Sequence, residues 1–157
     1  MHGNPEFMRQ AIELATENVR SGRGGPFGAV VVKDGAVIAS AANVVTATND
    51  PTAHAEITAI RKACAALKTF SLAGCELYTS CEPCPMCLAA TYWARCKAIY
   101  YGCTAADAAK AGFDDAYLYD EMKKPLAERE IPIVKLCEDE AWKAFAAWIE
   151  SPVKVEY

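Results

Sequence analysis

Apolar residues recur at helical spacing near the start of the chain. Asn4-Pro5 suits the beginning of a helix, and the residues that follow, FMRQAIELATENVR, predict an amphipathic one. Its apolar side comprises Phe7, Ile12, Leu14, Ala15 and Val19. Two apolar runs, 27–33 and 36–43, then flank the turn dipeptide Asp34-Gly35 and predict a β-hairpin.

Helical and strand patterns alternate in the rest of the chain. Helices are predicted at residues 53–67, 82–95, 105–111 and 138–149, and strands at residues 75–80 and 98–102. Residues 131–137 fit either a last strand or an extended strap, and residues 151–157 form a tail. A helix, a hairpin and then alternating helices and strands predict an α/β sandwich with a mixed sheet.

Composition limits the class of protein. The 157 residues fit a single domain spanning 1–157, and 53% hydrophobic with 23% charged residues is typical of a globular fold. The sequence shows neither a membrane-spanning stretch nor the pattern of an export signal, so we expect a cytoplasmic protein with no membrane partner. The 16 basic and 20 acidic residues give a net charge of −4, which argues against nucleic acid as a partner.

The chain contains eight cysteines, and three of them are crowded into Cys81-Glu-Pro-Cys84-Pro-Met-Cys87. The domain is large enough to fold without disulfides, so this crowding favours metal binding in a reducing compartment. The other cysteines fit small buried hydrophobic positions, namely Cys64, Cys75, Cys96, Cys103 and Cys137.

The candidate chemistry lies in His54-Ala-Glu56 and in Cys84-Pro-Met-Cys87. Cys84 and Cys87 share one helical face in a first turn, where the positive helix end favours thiolates. His54 and Glu56 are two positions apart, so they converge only in front of the N-terminus of their helix. We therefore expect the two helix ends to face each other, with zinc held by His54, Cys84 and Cys87 and one position left for water. Glu56 is then an acid/base and not a ligand.

Three other interpretations of these residues have to be compared with a catalytic zinc site. A closed structural zinc site could use Cys81 as its fourth ligand, although Glu56 would then have no role. An iron–sulfur run requires a further cysteine followed by proline, where this chain has Thr91 and Tyr92. A thiol nucleophile, either cysteine of the C-x-x-C pair, could use His54 as its base.

The H-x-E and P-C-x-x-C motifs together form the signature of zinc-dependent nucleobase deaminases. Further segments extend the resemblance: Gly24-Gly-Pro-Phe-Gly-Ala, Asp50-Pro-Thr-Ala-His-Ala-Glu56, Ser80-Cys-Glu-Pro-Cys-Pro-Met-Cys87, Tyr92-Trp-Ala-Arg95, Ala111-Gly-Phe-Asp-Asp115 and the ending Glu156-Tyr157. The chain resembles the bacterial guanine deaminases of the cytidine-deaminase-like superfamily. This resemblance implies a three-layer α/β/α sandwich with a five-stranded mixed sheet, one zinc per subunit, and hydrolytic deamination of guanine to xanthine and ammonia.

The same resemblance implies roles for residues outside the metal motif. Asn43 is expected to hydrogen-bond the purine, and Phe27 and Trp93 are expected to line it or stack on it. Asp115 is expected to bind the guanine edge near the leaving amino group and is a candidate second proton carrier.

The resemblance also implies a homodimer. Its C-terminal segment, residues 151–157, is expected to cross to the partner, where Tyr157 would close the neighbouring pocket. The residues alone also allow plainer roles, with the two aromatic residues in the core, the asparagine in a turn, the aspartate at a helix N-cap and the tail frayed.

Several other functions are compatible with the same metal motif. A tRNA adenosine deaminase would need a basic surface, and the Lys/Arg clusters of this chain are limited to Arg61-Lys62 and Lys123-Lys124. A deaminase of guanosine, cytidine or another small heterocycle remains an alternative, although Asp115 suits the N–H groups of guanine better than the carbonyl of cytosine. A zinc-stabilised interaction module is the non-enzymatic alternative, and it would unfold on chelation.

Overall fold

The computed structural model describes residues 2–157, and its helices and strands alternate along the chain. The helices are Pro5–Arg20 (α1), Val45–Thr48 (α2), Ala55–Leu67 (α3), Pro85–Trp93 (α4), Ala105–Lys110 (α5), Asp115–Lys123 (α6) and Glu138–Glu150 (α7). The strands are Gly28–Lys33 (β1), Ala36–Ala42 (β2), Cys75–Cys81 (β3) and Ala98–Cys103 (β4), and Leu126–Glu128 forms a short 3₁₀ turn. The chain divides after Tyr119 into two compact units.

Helix α1 begins where the sequence predicts. Asn4 caps it, since its side-chain oxygen accepts a hydrogen bond from a first-turn backbone N–H at 2.9 Å. Ala11 and Ala15 are buried, whereas Ile12 and Val19, which were predicted on the apolar side, are about half exposed. The helix therefore turns its small residues inward, which allows its backbone to approach the sheet closely.

Within the described residues the sheet has four strands in the order β2-β1-β3-β4. Strand β1 pairs antiparallel with β2 and β3, whereas β4 runs parallel to β3, so the sheet is mixed. The predicted hairpin is confirmed, and its turn residues Asp34 and Gly35 have φ of 49° and 77°, as a tight two-residue turn requires. The parallel pair brings the C-terminal ends of β3 and β4 together, so the loop that leads to Cys84 starts beside the connection that leads to α5.

Helices pack on both faces of the sheet in the first unit. On one face Ala11 of α1 shares a buried cluster with Val30. On the other face Ala59 of α3 shares a buried cluster with Val31 and Leu77. Successive strand residues point to opposite faces, so neighbours such as Val30 and Val31 serve different layers. The predicted α/β sandwich with a mixed sheet is confirmed.

The expectation of a five-stranded sheet is wrong for this chain. Residues 131–137, which fitted either a strand or a strap, form no strand and join no β-ladder. An extended segment becomes a strand only when its backbone N–H and C=O groups pair with a neighbour. The outer edge of β4 has no partner strand anywhere in residues 2–157.

The second unit, from residue 120 onward, exposes most of its large apolar side chains. No residue of α7 is buried. The large apolar residues that are more than half exposed are Met122, Leu126, Ile131, Val134, Leu136, Trp142, Phe145, Ile149, Val153, Val155 and Tyr157. So much exposed apolar surface is typical of a segment that binds another protein surface.

A search of the described helices finds none with the length and apolar character that crossing a membrane requires.

Candidate metal centre and cavity

The N-termini of α3 and α4 meet at the candidate site. His54 is the N-cap residue of α3 and Cys84 is that of α4, and both have extended backbone dihedrals. Neither side chain makes a capping hydrogen bond, so both are available to a group in front of the helices. Cys87 lies in the first turn of α4 and completes a cluster with these two residues.

The three donor atoms lie at separations that suit zinc. The Sγ atoms of Cys84 and Cys87 are 3.6 Å and 3.5 Å from Nδ1 of His54. Tetrahedral zinc with bonds of about 2.3 Å to sulfur and about 2.0 Å to nitrogen sets sulfur–nitrogen separations of about 3.5 Å. One imidazole and two sulfurs are also donors that zinc prefers. The residues therefore fit zinc in both distance and chemistry.

No fourth protein donor joins this cluster in the part of the chain that the structure describes. Cys81 is engaged elsewhere, because its thiol donates to the carbonyl oxygen of Thr104 at 3.6 Å. The geometry thus gives no support to a closed zinc site with Cys81 as a ligand. Three protein donors leave a coordination position for water, as in catalytic zinc sites.

The surroundings of the two sulfur atoms favour the thiolate form of Cys84 and the thiol form of Cys87. Hydrogen bonds from Cys87 and His54 lower the pKa of Cys84 to about 4, and the positive ends of the two helices act in the same direction. The hydrogen bond to Cys84, together with burial, raises the pKa of Cys87. A dication bound to both sulfur atoms would favour the thiolate form of each and displace the proton of Cys87.

Glu56 lies in the first turn of α3 beside the three donors. The residue is only 5% exposed, and the hydroxyl of Thr79 on β3 donates to its Oε1 at 3.2 Å. Burial raises the pKa of the Glu56 carboxyl, which moves it toward the range of a group that exchanges protons near neutral pH. Glu56 and His54 line the same cavity, so both face the space in front of α3.

A cavity of about 340 Å³ adjoins the candidate metal centre. Its lining residues are Gly24, Gly25, Phe27, Asn43, Val45, Thr46, His54, Glu56, Glu82, Cys84, Phe113 and Asp115. Three carboxylates line the cavity, those of Glu56, Glu82 and Asp115, whereas no lysine or arginine does. This volume lies in the range of sites that bind small molecules.

One wall of the cavity is aromatic. Phe27 meets Phe113 edge-on, with ring centroids 4.9 Å apart and ring planes at 85°. The sequence reasoning missed Phe113, since nothing local places it opposite Phe27. Asn43 lines the cavity and also accepts a hydrogen bond from the Val45 N–H on its Oδ1 at 3.3 Å. A role in a turn and a place in the site are therefore compatible for Asn43.

Asp115 lines the cavity at the start of α6. The neighbouring Asp114 caps that helix, because its Oδ1 accepts a hydrogen bond from the Tyr117 N–H at 3.1 Å. Asp115 is thus not required as the cap. Burial and the negative charge of Cys84 raise the pKa of the Asp115 carboxyl.

Two residues predicted for the site do not line the described cavity. Trp93, the last residue of α4, is 64% exposed. Tyr157 belongs to the second unit and is 68% exposed. The cavity is therefore built from residues of the first unit alone.

Asn18 is a supporting residue that the sequence reasoning missed. It is 1% exposed, and its amide donates to the carbonyl oxygens of Gly25 at 2.9 Å and Asn43 at 2.7 Å. These bonds fix the loop and the asparagine that line the cavity. The sequence did contain a signal for this role. Asn18 follows Ala11 by seven residues, about two helical turns, so it is a polar residue on the buried side of α1.

Replacement of one donor should abolish zinc binding, whereas replacement of Cys81 should not. We expect wild-type protein and Cys81→Ser to retain about one zinc per chain, and Cys84→Ser to retain less than about a tenth of that amount, because a thiolate ligand is lost. Inductively coupled plasma mass spectrometry of dialysed protein measures the difference. Zinc loss from Cys81→Ser, the matched control, would contradict a three-donor centre.

Comparisons with known proteins agree with this geometry. The family model for the cytidine and deoxycytidylate deaminase zinc-binding region matches residues 1–103. Guanine deaminase of Bacillus subtilis (strain 168) is 56% identical over 151 residues, which are 96% of this chain and 97% of that protein. The X-ray structure of guanine deaminase from Bacillus subtilis matches with a TM-score of 0.96 at 54% identity and covers 99% of each chain.

Similarity to RNA-acting deaminases is less extensive. A tRNA-specific adenosine deaminase of Agrobacterium fabrum (strain C58 / ATCC 33970) is 53% identical over 77 residues, only 49% of this chain and 51% of that protein. The guanine deaminase match, in contrast, extends through the C-terminal part of the chain. The chain therefore belongs to the cytidine-deaminase-like zinc deaminases and, within them, to the family of the bacterial guanine deaminases.

Proposed function

We propose that this protein is a zinc-dependent guanine deaminase that hydrolyses guanine to xanthine and ammonia. The observation that carries the proposal is the union of a three-donor zinc centre, a buried carboxylate and a cavity sized for a small molecule in one site. Similarity to the guanine deaminase of Bacillus subtilis over nearly the whole chain supports the choice of substrate.

His54, Cys84 and Cys87 would hold one zinc per subunit. Zinc in such a site lowers the pKa of water and so supplies a nucleophile near neutral pH. Two thiolates and a neutral imidazole cancel the charge of the ion, which weakens this effect relative to a site with three histidines. A protein base beside the water is therefore needed, and Glu56 is placed for that role.

Glu56 would move the protons of the reaction. It takes a proton from the attacking water and delivers it to the ring nitrogen next to the carbon that is attacked, which is C2 in guanine. It then takes the remaining proton of the hydroxyl added at C2 and passes it to the exocyclic amino group, so that the bond from C2 to this nitrogen breaks and ammonia leaves. The raised pKa of its carboxyl suits repeated proton transfer, and the hydrogen bond from Thr79 holds the carboxyl in place.

The other cavity residues would bind the base. Phe27 offers a flat apolar surface to the purine ring, and Asn43 supplies an amide for its donor and acceptor groups. Asp115 would accept hydrogen bonds from the N–H groups of the guanine edge, near the amino group that leaves. Its raised pKa also makes it a candidate for a second proton carrier.

The charge of the site favours a free base over a nucleic acid. Glu56, Glu82 and Asp115 line the cavity with no lysine or arginine among its residues, whereas binding an RNA backbone depends on cations. The net charge of −4 acts in the same direction. Guanosine or another small aminated heterocycle is the alternative substrate that this charge leaves open.

The protein acts as a homodimer in this proposal, with its C-terminal segment exchanged between subunits. The exposed apolar side chains of the second unit and the open edge of β4 are surfaces that a partner subunit would cover. Trp93 is exposed and Tyr157 lies in the second unit, so we expect both to reach the base through this assembly.

A panel of substrates tests the reaction. Ammonia release from guanine should exceed release from guanosine, adenine, cytosine, cytidine or a tRNA hairpin by at least about 100-fold in kcat/KM, because a hydrogen-bonded site rejects analogues that leave its groups unpaired. Chelation should abolish the release while far-ultraviolet circular dichroism persists. Preferential turnover of the hairpin, or unfolding on chelation, would overturn the proposal.

The substitution Glu56→Gln should leave zinc bound and lower kcat by at least about 100-fold, since the amide cannot carry the proton. Steady-state ammonia release and the zinc content of the same sample measure the two quantities. Glu17→Gln, the same change at an exposed position on α1, is the control and should match wild type. Rates within about 3-fold of wild type in Glu56→Gln would exclude the role.

A mixed dimer distinguishes action of Tyr157 within its own chain from action on the partner. We expect deletion of Tyr157 and the substitution Glu56→Gln each to inactivate a homodimer. A heterodimer with one change in each chain can be purified through two different tags. If the tail is exchanged, the chain that lacks its own Tyr157 keeps Glu56 and receives Tyr157 from its partner. One of the two sites is then intact, so the heterodimer should recover about half of wild-type activity. A heterodimer no more active than its parents, or a monomer in light scattering, would refute the exchange.

A further inference from the structure

The cavity-lining carboxylate of Asp115 lies on a weakly held segment of the first unit. All residues from 111 to 119 are exposed except Asp115 and Tyr119, which are partly buried. These two residues are one helical turn apart, so they share the inward side of α6. The position of the carboxylate therefore depends on what Tyr119 contacts.

Tyr119 contacts the loop that carries a candidate metal ligand. Its phenolic hydroxyl donates a hydrogen bond to the carbonyl oxygen of Pro83 at 3.0 Å. Pro83 is buried and directly precedes Cys84. Burial raises the pKa of the Tyr119 phenol, so the hydroxyl remains a donor near neutral pH. One hydrogen bond thus joins the helix of Asp115 to the loop of Cys84.

The loop is the fixed side of this hydrogen bond. The Glu82 backbone N–H donates to the carbonyl oxygen of Cys103 at 2.8 Å, and the Glu82 carboxylate accepts a hydrogen bond from the Ala105 N–H at 2.9 Å. These bonds hold the loop against the end of β4 without Tyr119. Loss of the Tyr119 hydroxyl should therefore loosen α6 and leave the metal ligands in place.

A second contact holds the other side of Asp115. Phe113, two residues earlier, packs edge-on against Phe27 in the cavity wall. Aromatic pairs occur at centroid separations of about 4.5 to 7 Å, whereas a hydroxyl hydrogen bond holds its two oxygen atoms about 2.5 to 3.0 Å apart. The two contacts therefore lie on either side of Asp115 along the chain, and the hydrogen bond is the more restrictive of them.

We propose that Tyr119 is a positioning residue whose hydrogen bond to Pro83 holds Asp115 at a set distance from the Cys84 side of the zinc centre. The inference rests on the proposed role of Asp115 in guanine deamination. It adds a residue that touches neither the substrate nor the metal and acts only through the placement of Asp115.

The test combines Tyr119→Phe with Asp115→Asn in a double-mutant cycle. Tyr119→Phe should lower kcat/KM for guanine about 5-fold, the size expected from one lost neutral hydrogen bond. In protein that already carries Asp115→Asn, the same change should cost less than about 2-fold, because no carboxylate remains to be placed. Equal losses in both backgrounds would overturn the proposal, since Tyr119 would then act independently of Asp115.

Two further readouts do not depend on turnover. Tyr119→Phe should speed hydrogen exchange at the backbone amides of residues 116–119 and should leave zinc affinity within about 2-fold of wild type. Unchanged exchange, or zinc affinity weakened more than about 10-fold, would overturn the proposal. Glu17→Gln, the change at an exposed position on α1, is the control and should leave kinetics, exchange and zinc affinity unchanged. If wild-type protein failed to deaminate guanine, the proposed function would fail while these readouts still tested the contact.

Discussion

The convergence of two helix N-termini on one small volume is the constraint on which the site depends. The backbone N–H groups at a helix N-terminus lack partners within the helix and attract negative charge. Polar side chains usually satisfy them, but His54 and Cys84 occupy the N-cap positions of α3 and α4 without capping. Both helix ends therefore remain electropositive, and the two sulfur atoms and the Glu56 carboxyl lie where that charge opposes the effect of burial.

Burial of carboxylates without a lysine or arginine in the cavity gives the site its second property. Glu56 and Asp115 have raised pKa values mainly because burial disfavours their charged forms. A lysine or arginine in the cavity would reverse that shift and would also attract phosphate groups. The lack of lysine and arginine among the lining residues thus suits proton transfer and favours an uncharged substrate that presents N–H groups.

The part of the chain beyond Tyr119 depends on another kind of interaction. Its helix α7 has an apolar side, yet none of its residues is buried in the described structure. A segment with this much exposed apolar surface gains stability only when another surface covers it. Exchange of the segment in a dimer would supply that surface and would link the assembly of the protein to the completion of its site.

The sequence by itself determined the hairpin, the helix starts at Asn4 and near Cys84, and the grouping of His54, Cys84 and Cys87, because caps, turns and ligand spacings are local. The fifth strand that the family resemblance implied is wrong, and the pattern of residues 131–137 left strand and strap open because a strand requires a neighbour for its backbone groups. Only the tertiary structure decided that Phe113 faces Phe27, that Asn18 holds Asn43, and that Tyr119 reaches Pro83. Those contacts join residues far apart in the chain, and no local pattern encodes which distant surfaces will pack together.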